Sequence, residues 1–289
     1  MHAPVLVAET IAHLAVRAGG VYVDATVGLG GHASAILDAG AGRVIGLDRD
    51  VSALEFARAR LADRPVDLVH SDYRDIRRVL ADRGVKTVDG VLADLGVSSL
   101  QLDDASRGFS FRESGPLDMR MDRTHGEPLM TRLATVDERT LADVIFQYGE
   151  ERQSRRVARA IVRARQEQPI ETTGQLAAVV RRAAGGRGWQ RIDPATRTFQ
   201  ALRIWVNGEL DGLDRFLDDA VQSLGAAGRV AIIAFHSLED RIVKHTFREF
   251  AAAGRVAIVT RRPVVPGEAE VAANPRARSA RLRVVENVA

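Results

Sequence analysis

The first third of the chain alternates short apolar segments with segments of helical periodicity, and this alternation restricts the fold more than any other feature. Apolar runs that predict strands lie at residues 21–26, 43–48, 66–72 and 88–95, and a helical pattern follows each of the first three. Strands that alternate with helices form βαβ units around a buried parallel sheet. The sequence therefore predicts an α/β fold for this region.

The pattern changes after the fourth predicted strand. Residues 96–130 are rich in Gly, Ser, Asp and Pro without periodicity, which indicates a long ordered loop of the kind that often serves function. Residues 136–184 show only helical periodicity. The later segments predict helices at 194–224, a strand at 229–235, a helix at 238–250 and strands at 255–260 and 280–286. The simplest layout is a sheet domain, residues 1–104 and 193–289, interrupted by a mainly helical insert, residues 105–192.

The composition excludes several kinds of site. The chain has no cysteine, which rules out disulfide bonds, thiolate metal sites and cysteine nucleophiles. It has no apolar run near the roughly 20 residues that a membrane helix needs, and its N-terminus lacks the basic and apolar regions of a signal peptide. No arrangement typical of a metal site is evident in the sequence. We therefore expect a cytoplasmic protein with no membrane contact and no bound metal.

The charge is distributed unevenly, although the net charge is only +3. Residues 105–198 carry 17 basic and 12 acidic groups, and residues 251–289 carry 7 and 3. A nearly neutral body with two basic segments is typical of a protein that binds a polyanion. The alternative is a chain in which arginine is simply abundant, since only Lys86 and Lys244 are lysines. The charge alone leaves both interpretations open.

A glycine-rich turn joins the first predicted strand to the first predicted helix. It contains Gly28, Gly30, Gly31 and His32. Glycines at this position let a ligand approach the backbone, and the following helix offers free N–H groups. The spacing of Gly28, Gly30 and Ala33 also fits the relaxed G-x-G-x-x-A pattern of NAD sites. A tight turn without a ligand is the third interpretation.

Two aspartates at successive strand ends narrow the choice of ligand. Asp48 ends the second predicted strand, where a carboxylate can accept hydrogen bonds from both hydroxyls of a ribose. Asp24 lies near the end of the first strand, where it would repel a pyrophosphate but attract the ammonium group of a methionine moiety. The pair therefore favours S-adenosylmethionine over NAD. Either aspartate alone also fits a helix cap or a turn residue.

Three further candidates lie at or beyond the ends of predicted strands. Tyr73 follows the third strand, where an aromatic ring can stack on adenine or simply pack in the core. Asp94 lies at the end of the fourth strand, at the edge where open α/β sheets bind ligands, and is a candidate catalytic residue. His236 follows the fifth strand and is a weaker candidate for proton removal, since a single histidine is more often a satisfied core residue. Beside it, Ser237 and Asp240 have the spacing of a helix capping box.

Ten segments in chain order closely resemble the bacterial small-subunit rRNA (cytosine-N4)-methyltransferases of the MraW/RsmH type. They are His2–Leu6, Gly28–His32, Asp94–Ser99, Gln101–Asp103, Arg107–Phe111, Gly115–Asp122, Tyr148–Glu151, Pro194–Arg203, Phe235–Arg241 and Asn274–Ser279. One such motif is weak evidence, but this many in order across the whole chain are highly specific. The chain departs from the family pattern at Leu100, where proline is common, at Tyr73, where phenylalanine is common, and in a shorter connection before Arg261.

The resemblance implies a Rossmann-like S-adenosylmethionine-dependent methyltransferase sheet with an inserted helical domain that recognises the substrate. It implies methyl transfer to the exocyclic N4 amine of a cytidine in the decoding region of 16S rRNA, within the small ribosomal subunit, and it implies no protein partner. The residues implied to bind the methyl donor are Gly30, Gly31, His32, Asp48, Tyr73, Asp94 and Gln101. Asp94 then has two candidate roles, which are to orient the cytosine amine or to hold the ammonium group of the donor.

Four arginines of the predicted insert have a spacing that places them on one helical face. They are Arg152, Arg156, Arg159 and Arg163. On an RNA-modifying protein such a face is a candidate for contacts with phosphates, and the alternative is an ordinary solvated face.

Three other functions stay open on the residues alone. The first is methylation of a small molecule, and the second is hydride transfer with NAD, which Asp24 disfavours. The third is a non-catalytic RNA-binding assembly factor that keeps the fold.

Overall fold

The computed structural model describes residues 4–185 and 193–288. The chain divides into two compact units. The sheet unit comprises Met1–Gly96 and Leu210–Ala289, and the helical unit comprises Val97–Glu209. Residues 2 and 3 of the first resembling segment, and residues 186–192 at the end of the predicted insert, lie outside the described residues.

The chain order of the elements begins in the sheet unit with α1 (Val7–Leu14), β1 (Val21–Asp24), α2 (Gly31–Asp38), β2 (Arg43–Asp48), α3 (Val51–Arg60), β3 (Val66–His70), α4 (Ile76–Asp82) and β4 (Val88–Asp94). The helical unit contains α5 (Ser99–Asp103), α6 (Leu129–Thr135), α7 (Glu138–Gly149), α8 (Ser154–Glu167), α9 (Thr173–Ala184) and α10 (Ala195–Asn207). The sheet unit continues with α11 (Leu213–Gln222), β5 (Leu224–Ala234), α12 (Ser237–Ala252), β6 (Val256–Ile258), α13 (Glu268–Ala273) and β7 (Arg281–Asn287). Short 3-10 turns lie at Tyr73–Asp75, Ala105–Arg107 and Pro275–Ser279.

The strands form one seven-stranded sheet in the order β3-β2-β1-β4-β5-β7-β6. Strands β1 to β5 pair in parallel, whereas β7 runs antiparallel to both β5 and β6. This mixed sheet with flanking helices confirms the predicted α/β fold. The sequence pattern does not predict the antiparallel direction of β7.

Both faces of the sheet are covered, as expected for parallel strands that read as continuous apolar runs. Successive residues of β4 point to opposite faces: Val91 and Ala93 join the apolar cluster that contains Phe216 of α11. Leu92 joins the cluster on the other face, which contains Ile36 of α2. The central strands are therefore buried on both sides, and their polar residues are confined to the strand ends.

Parallel pairing brings the carboxyl ends of four strands to one edge of the sheet. Asp24 at the end of β1 is in register with Gly46 of β2 and Leu92 of β4. Asp48 ends β2, and Asp94 ends β4 beside Ile233 of β5. This edge is where ligands bind in open α/β sheets.

The helical unit has its own apolar core, in which α7 and α10 pack together. Leu141 and Ile145 of α7 share this core with Phe199 and Leu202 of α10. The units therefore meet along the chain at 96/97 and 209/210, whereas the sequence predicts boundaries at 104/105 and 192/193. The predicted boundary places α10 in the sheet domain because helical periodicity does not show which core an apolar face joins.

Several elements differ from the sequence prediction. The predicted loop at 96–130 contains the short helix α5, and α1 and α13 are not predicted by the sequence pattern. Helix α8 begins at Ser154, so Arg152 lies in the preceding turn and does not share a helical face with the other three arginines. Within the described ranges, no helix is long and apolar enough to cross a membrane.

Candidate active site

The glycine-rich turn between β1 and α2 depends on two glycines for its own packing. Gly30 has a φ of 77° as the N-cap of α2, and a Cβ there would lie 2.9 Å from a methyl carbon of Leu61. A Cβ on Gly31 would lie 2.8 Å from Cγ of Pro4. Gly30 therefore favours glycine for its backbone conformation, and a side chain at either position would have to displace Leu61 or Pro4.

Asp48 ties this turn to the end of β2. Its Oδ2 accepts the N–H of Gly28 at 2.8 Å, and its Oδ1 accepts the N–H of Asp50 at 2.8 Å. Desolvation is the main cause that raises the pKa of Asp48 to about 6. Each carboxylate oxygen has a second lone pair. The predicted role of Asp48 as the acceptor for ribose hydroxyls is therefore compatible with its position but stays a prediction.

Asp24 is buried at the end of β1, with only 1% of its surface exposed. Its Oδ1 accepts the N–H of Thr26 at 3.3 Å, and the N–H of Ala33 in the first turn of α2 also favours its charged form. Its Oδ2 is buried without a hydrogen-bond partner among the described residues. Desolvation, reinforced by Asp48, raises the pKa of Asp24 to about 7.

Asp94, at the end of the neighbouring strand β4, also has a buried carboxyl oxygen and a raised pKa. Its N–H donates to Oγ1 of Thr26 at 2.7 Å, which links the ends of β1 and β4. Within the described part of the chain, its Oδ1 is buried without a hydrogen-bond partner. Desolvation, followed by the charges of Asp24 and Glu239, raises the pKa of Asp94 well above its usual range.

His32 lies directly beside Asp94. Its Nε2 is 2.9 Å from the carbonyl oxygen of Val5, and its Nδ1 is 3.6 Å from Oδ2 of Asp94. Because the ring is buried, desolvation lowers the pKa of His32 to about 4. His32 is therefore neutral at physiological pH.

Tyr73 is the predicted adenine-stacking residue, and its ring packs in the core. The ring centroid lies 4.7 Å from that of Phe216, and 8% of the residue is exposed. Desolvation raises the pKa of its hydroxyl. The packing role is thus observed, and stacking on adenine stays a prediction.

His236 caps helix α12, an arrangement that the sequence pattern assigns to other residues. Its Nδ1 accepts the N–H of Glu239 at 3.3 Å, and the Glu239 carboxylate in turn accepts the N–H of His236 at 3.3 Å. The capping box is therefore His236 with Glu239, and the prediction of Ser237 with Asp240 is wrong. Asp240 instead pairs with guanidinium groups of β7, at 2.9 Å from Arg281 and 2.7 Å from Arg283.

Gln101 lies in the helical unit as the N3 residue of α5. Its Oε1 accepts the N–H of Ser98 at 3.0 Å, and its own N–H donates to Oγ of Ser98 at 3.3 Å. This reciprocal capping box accounts locally for a glutamine at this position. Its predicted contact with the methyl donor stays a prediction.

Sequence reasoning missed two acidic residues near the sheet edge. Glu239 is only 2% exposed and adds negative charge next to Asp94. Asp72 follows β3 and accepts both the backbone N–H and the guanidinium of Arg74, with Arg49 at 3.6 Å. Asp72 follows the end of β3 closely, and the same kind of signal selects Asp24 and Asp94 at strand ends. Glu239 lies in the first turn of α12, so the strand-end rule does not select it.

Comparison with known proteins adds the decisive information. A sequence model of the MraW methylase family matches residues 1–288. The chain belongs to the MraW methylase family. A methylase needs a methyl donor, and the donor of this family is S-adenosylmethionine.

Three relatives are similar to this chain over nearly their full lengths, and each is described as ribosomal RNA small subunit methyltransferase H. The one from Sorangium cellulosum is 52% identical over 290 residues, which cover 99% of this chain and 91% of that protein. The one from Geotalea uraniireducens is 48% identical over 307 residues, with 99% and 98% coverage. The one from Acidobacterium capsulatum is 49% identical over 295 residues, also with 99% and 98% coverage.

The sheet edge has the chemistry that this donor requires. Buried polar atoms are almost always hydrogen-bonded, so the free oxygens of Asp24 and Asp94 indicate a ligand. A ligand with positive charge suits both, because it would favour the ionised forms of two carboxyls whose pKa values burial raises. S-Adenosylmethionine, which carries an ammonium group and supplies a methyl group on a sulfonium, fits this edge.

Proposed function

We propose that this methyltransferase transfers the methyl group of S-adenosylmethionine to the exocyclic N4 amine of a cytidine in the decoding region of 16S rRNA. We also propose that it acts in the cytoplasm on the small ribosomal subunit. The observation that carries the proposal is the match of nearly the whole chain to relatives described as small-subunit ribosomal RNA methyltransferases. The buried carboxyl groups at the sheet edge supply chemistry that suits an amine substrate.

A cytosine amine is a poor nucleophile because its lone pair is delocalised into the ring. An acceptor placed against its N–H bonds lets charge develop on nitrogen as the new bond forms. Asp94 can supply this acceptor through Oδ1, which has no partner among the described residues. Its carboxyl must be ionised for this purpose, and a cationic ligand at the same edge favours that state.

Asp24 suits the ammonium group of the donor better than Asp94 does. It lies deeper, at 1% exposure, whereas 23% of the Asp94 side chain is exposed and accessible to a second substrate. We therefore assign Asp24 to the donor and Asp94 to the amine. Asp48 accepts the ribose hydroxyls, and the remaining donor contacts of the sheet unit come from Gly30, Gly31, His32 and Tyr73.

His236 is a poor choice for proton removal. Its Nδ1 already accepts the N–H of Glu239, so the ring proton lies on Nε2, which is 3.2 Å from Oε1 of the same glutamate. A ring held in this way has no lone pair to offer to an amine. The cap accounts for Nδ1 of His236 but not for its Nε2, which is buried without a hydrogen-bond partner among the described residues. Because Nε2 carries the ring proton, Asp94 is the better acceptor.

RNA binding is assigned to the basic groups of the helical unit. The sequence pattern selects four arginines, but Arg159 forms an ion pair with Glu138 at 3.3 Å and Arg163 with Glu167 at 3.6 Å. Arg155 and Arg156 are exposed on α8. We propose these two as the phosphate contacts of that helix.

The test is a methylation assay on small subunits that lack the modification, followed by nucleoside mass spectrometry. N4-methylated cytidine at one position is the expected product. Methylation of free nucleosides but not of subunits would favour a small-molecule enzyme. Calorimetry with S-adenosylmethionine and with NADH separates the remaining alternatives, since an assembly factor without activity would yield no product and an oxidoreductase would bind NADH.

A further inference from the structure

Helix α12 of the sheet unit carries a basic face, which comprises Arg241, Lys244 and Arg248. We infer that this face, together with Arg281 at the start of β7, binds the phosphate backbone of the RNA substrate. The inference rests on the proposed function, since it takes a ribosomal RNA as the substrate. It adds a surface of the sheet unit to the phosphate contacts proposed for α8.

The three side chains of the basic face lie on one side of α12 because they are separated by three and four positions. Lys244 is partly buried, and the two arginines are exposed. The acidic residues of the first turn, Glu239 and Asp240, are buried, and the first exposed acidic residue of the helix is Glu249. The exposed side of the first three turns therefore carries positive charge without an acidic neighbour on the same helix.

Strand β7 adds positive charge beside the first turn of α12. Arg281 and Arg283 both donate to the carboxylate of Asp240, at 2.9 and 2.7 Å. Two guanidinium groups thus share one carboxylate, which leaves one positive charge in excess. The side chain of Arg281 is 50% exposed and that of Arg283 only 11%, so Arg281 presents this excess to solvent.

The basic surface begins at the edge of the sheet where the donor site lies. Arg281 pairs with Ala234, the last residue of β5, and α12 begins soon afterwards at Ser237. Asp94 ends β4 at the same edge, in register with Ile233 of β5. An RNA backbone bound along α12 therefore reaches the edge at which the target base has to be presented.

A general abundance of surface arginine does not account for this face. Arg58 and Arg60 also have no acidic partner within the described ranges, but they lie in the last turn of α3, where the helix dipole favours positive charge. Lys244 and Arg248 likewise have no acidic partner in the part of the chain that the structure describes, and they lie before the last turn of α12. Clustered cations without a structural partner are typical of a surface that binds a polyanion.

The lysine content of the chain allows a test on the unaltered protein. The only two lysines are Lys86 and Lys244. Lys86 is exposed and precedes β4, toward the opposite edge of the sheet. Both are labelled with an amine-reactive reagent, with and without small subunits that lack the modification, and peptide mass spectrometry measures the labelling. We expect bound subunits to suppress labelling of Lys244 and to leave that of Lys86 unchanged. Unchanged labelling of Lys244, or equal protection of both lysines, would overturn the inference.

Charge reversal measures how much the basic face contributes to binding. Lys244→Glu combined with Arg248→Glu should lower the slope of log affinity against log salt by about 0.7 for each phosphate that is no longer neutralised. At about 0.1 M salt, each lost contact should weaken binding to the small subunits about fivefold. The charge-retaining pair Lys244→Arg with Arg248→Lys should keep the wild-type slope.

The matched control reverses Arg58 and Arg60 and changes the net charge by the same amount. Equal slopes for the α3 and α12 variants would show a nonspecific effect of charge and would overturn the inference. Thermal unfolding identifies a variant that fails to fold, in which case Lys244→Gln with Arg248→Gln replaces the reversal.

Failure of the inference and failure of the proposed function give different results. A wild type that methylates small subunits, with an unchanged salt slope in the α12 variants, would refute the phosphate contacts alone. A wild type that binds the subunits through α12 but forms no N4-methylated cytidine would refute the proposed function and support the binding surface.

Discussion

The carboxyl edge of the sheet and the Arg203–Glu209 pair of the helical unit treat buried charge in opposite ways. At the sheet edge, Asp24 and Asp94 each keep a carboxyl oxygen without a hydrogen-bond partner among the described residues. In the helical unit, the Glu209 carboxylate is buried, and Arg203 donates to both of its oxygens at 2.9 and 2.7 Å. A paired carboxylate such as Glu209 is compatible with a stable fold. A buried carboxyl oxygen without a partner, as in Asp24 and Asp94, destabilises the ligand-free protein, and a bound ligand can offset that cost. The difference separates residues that serve structure from residues that serve function.

The largest effect on stability is expected when the buried Arg203–Glu209 ion pair is removed. Arg203→Met leaves the Glu209 carboxylate buried without its guanidinium partner, and the loss of one partner of a buried pair costs roughly 3–5 kcal/mol. Denaturant unfolding measures the loss. The matched control is Arg163→Met, whose exposed pair with Glu167 should change stability by less than about 0.5 kcal/mol. Equal effects of the two substitutions would contradict the distinction.

Among the carboxyls at the sheet edge, substitution of Asp94 should have the largest effect on activity. Asp94→Asn keeps the size of the side chain but loses its charge and part of its acceptor capacity. Turnover at saturating donor should fall about a hundredfold or more, while the donor dissociation constant changes less. Single-turnover kinetics beside calorimetry test this. A loss of affinity with near-normal turnover would assign Asp94 to the ammonium of the donor instead.

The pH dependence of Asp24 should distinguish it from a structural carboxylate. Its pKa is raised to about 7 in the folded protein from an ordinary value of 3.8, so the folded state binds the proton more tightly than the unfolded state does. Its contribution to stability is therefore present below about pH 4 and is lost as the pH rises through about 7. Asp24→Asn should stabilise the ligand-free protein relative to wild type at pH 8 but not at pH 4, which thermal unfolding at the two pH values measures.

The affinity for the methyl donor should also depend on the protonation of Asp24, but it should increase with pH. A cation favours the ionised form, so the affinity for S-adenosylmethionine should rise about tenfold between pH 5.5 and 7 with release of protons. The amino group of the donor stays charged in this range, because an α-amino group titrates near 7.7–8.0. Asp48 and Asp94 also have raised pKa values, so Asp24→Asn should flatten this slope but not abolish it. A slope identical to that of the wild type would remove Asp24 from the donor site.

The positions of these aspartates could be predicted from sequence because strand ends are marked locally. Apolar runs end at Asp24, Asp48 and Asp94, and the rule that parallel strands present their carboxyl ends at one edge then places them together. The contact between His32 and Asp94 could not be predicted in this way. It depends on how the first turn of α2 packs against Val5, which belongs to a separate segment 27 positions earlier in the chain.

The same limit explains the wrong capping box and the displaced boundary. Ser237 with Asp240 and His236 with Glu239 have identical spacing, and the choice between them depends on β5 ending at Ala234 and on arginines of β7 that pair with Asp240. Likewise, the apolar face of α10 fits either core on periodicity alone. Local patterns identify elements well, whereas partners far apart in sequence decide which core or cap they join.

A moderate effect is expected at Asp48. Asp48→Ala removes the predicted acceptor for two ribose hydroxyls, and a charged hydrogen bond contributes roughly 1.5–3 kcal/mol, so donor affinity should fall about tenfold or more. The substitution also frees the N–H groups of Gly28 and Asp50. Asp48→Asn is therefore the matched control, since its oxygen can replace one of these acceptors. A folded Asp48→Ala protein with unchanged affinity would exclude Asp48 from the site.

The smallest effect is expected at the helical unit, where exposed rather than buried charge is proposed to act. Replacement of both Arg155 and Arg156 by Glu should weaken RNA binding and lower the salt dependence, by about 0.7 in the slope of log affinity against log salt for each phosphate that is no longer neutralised. The matched control reverses Arg58 and Arg60, which are exposed on α3 of the sheet unit. Both double variants change the net charge equally, so a nonspecific effect of charge would shift their slopes alike. A lower slope for the α8 variant alone would locate the RNA interface, and equal slopes would leave Arg155 and Arg156 as part of a solvated helix face.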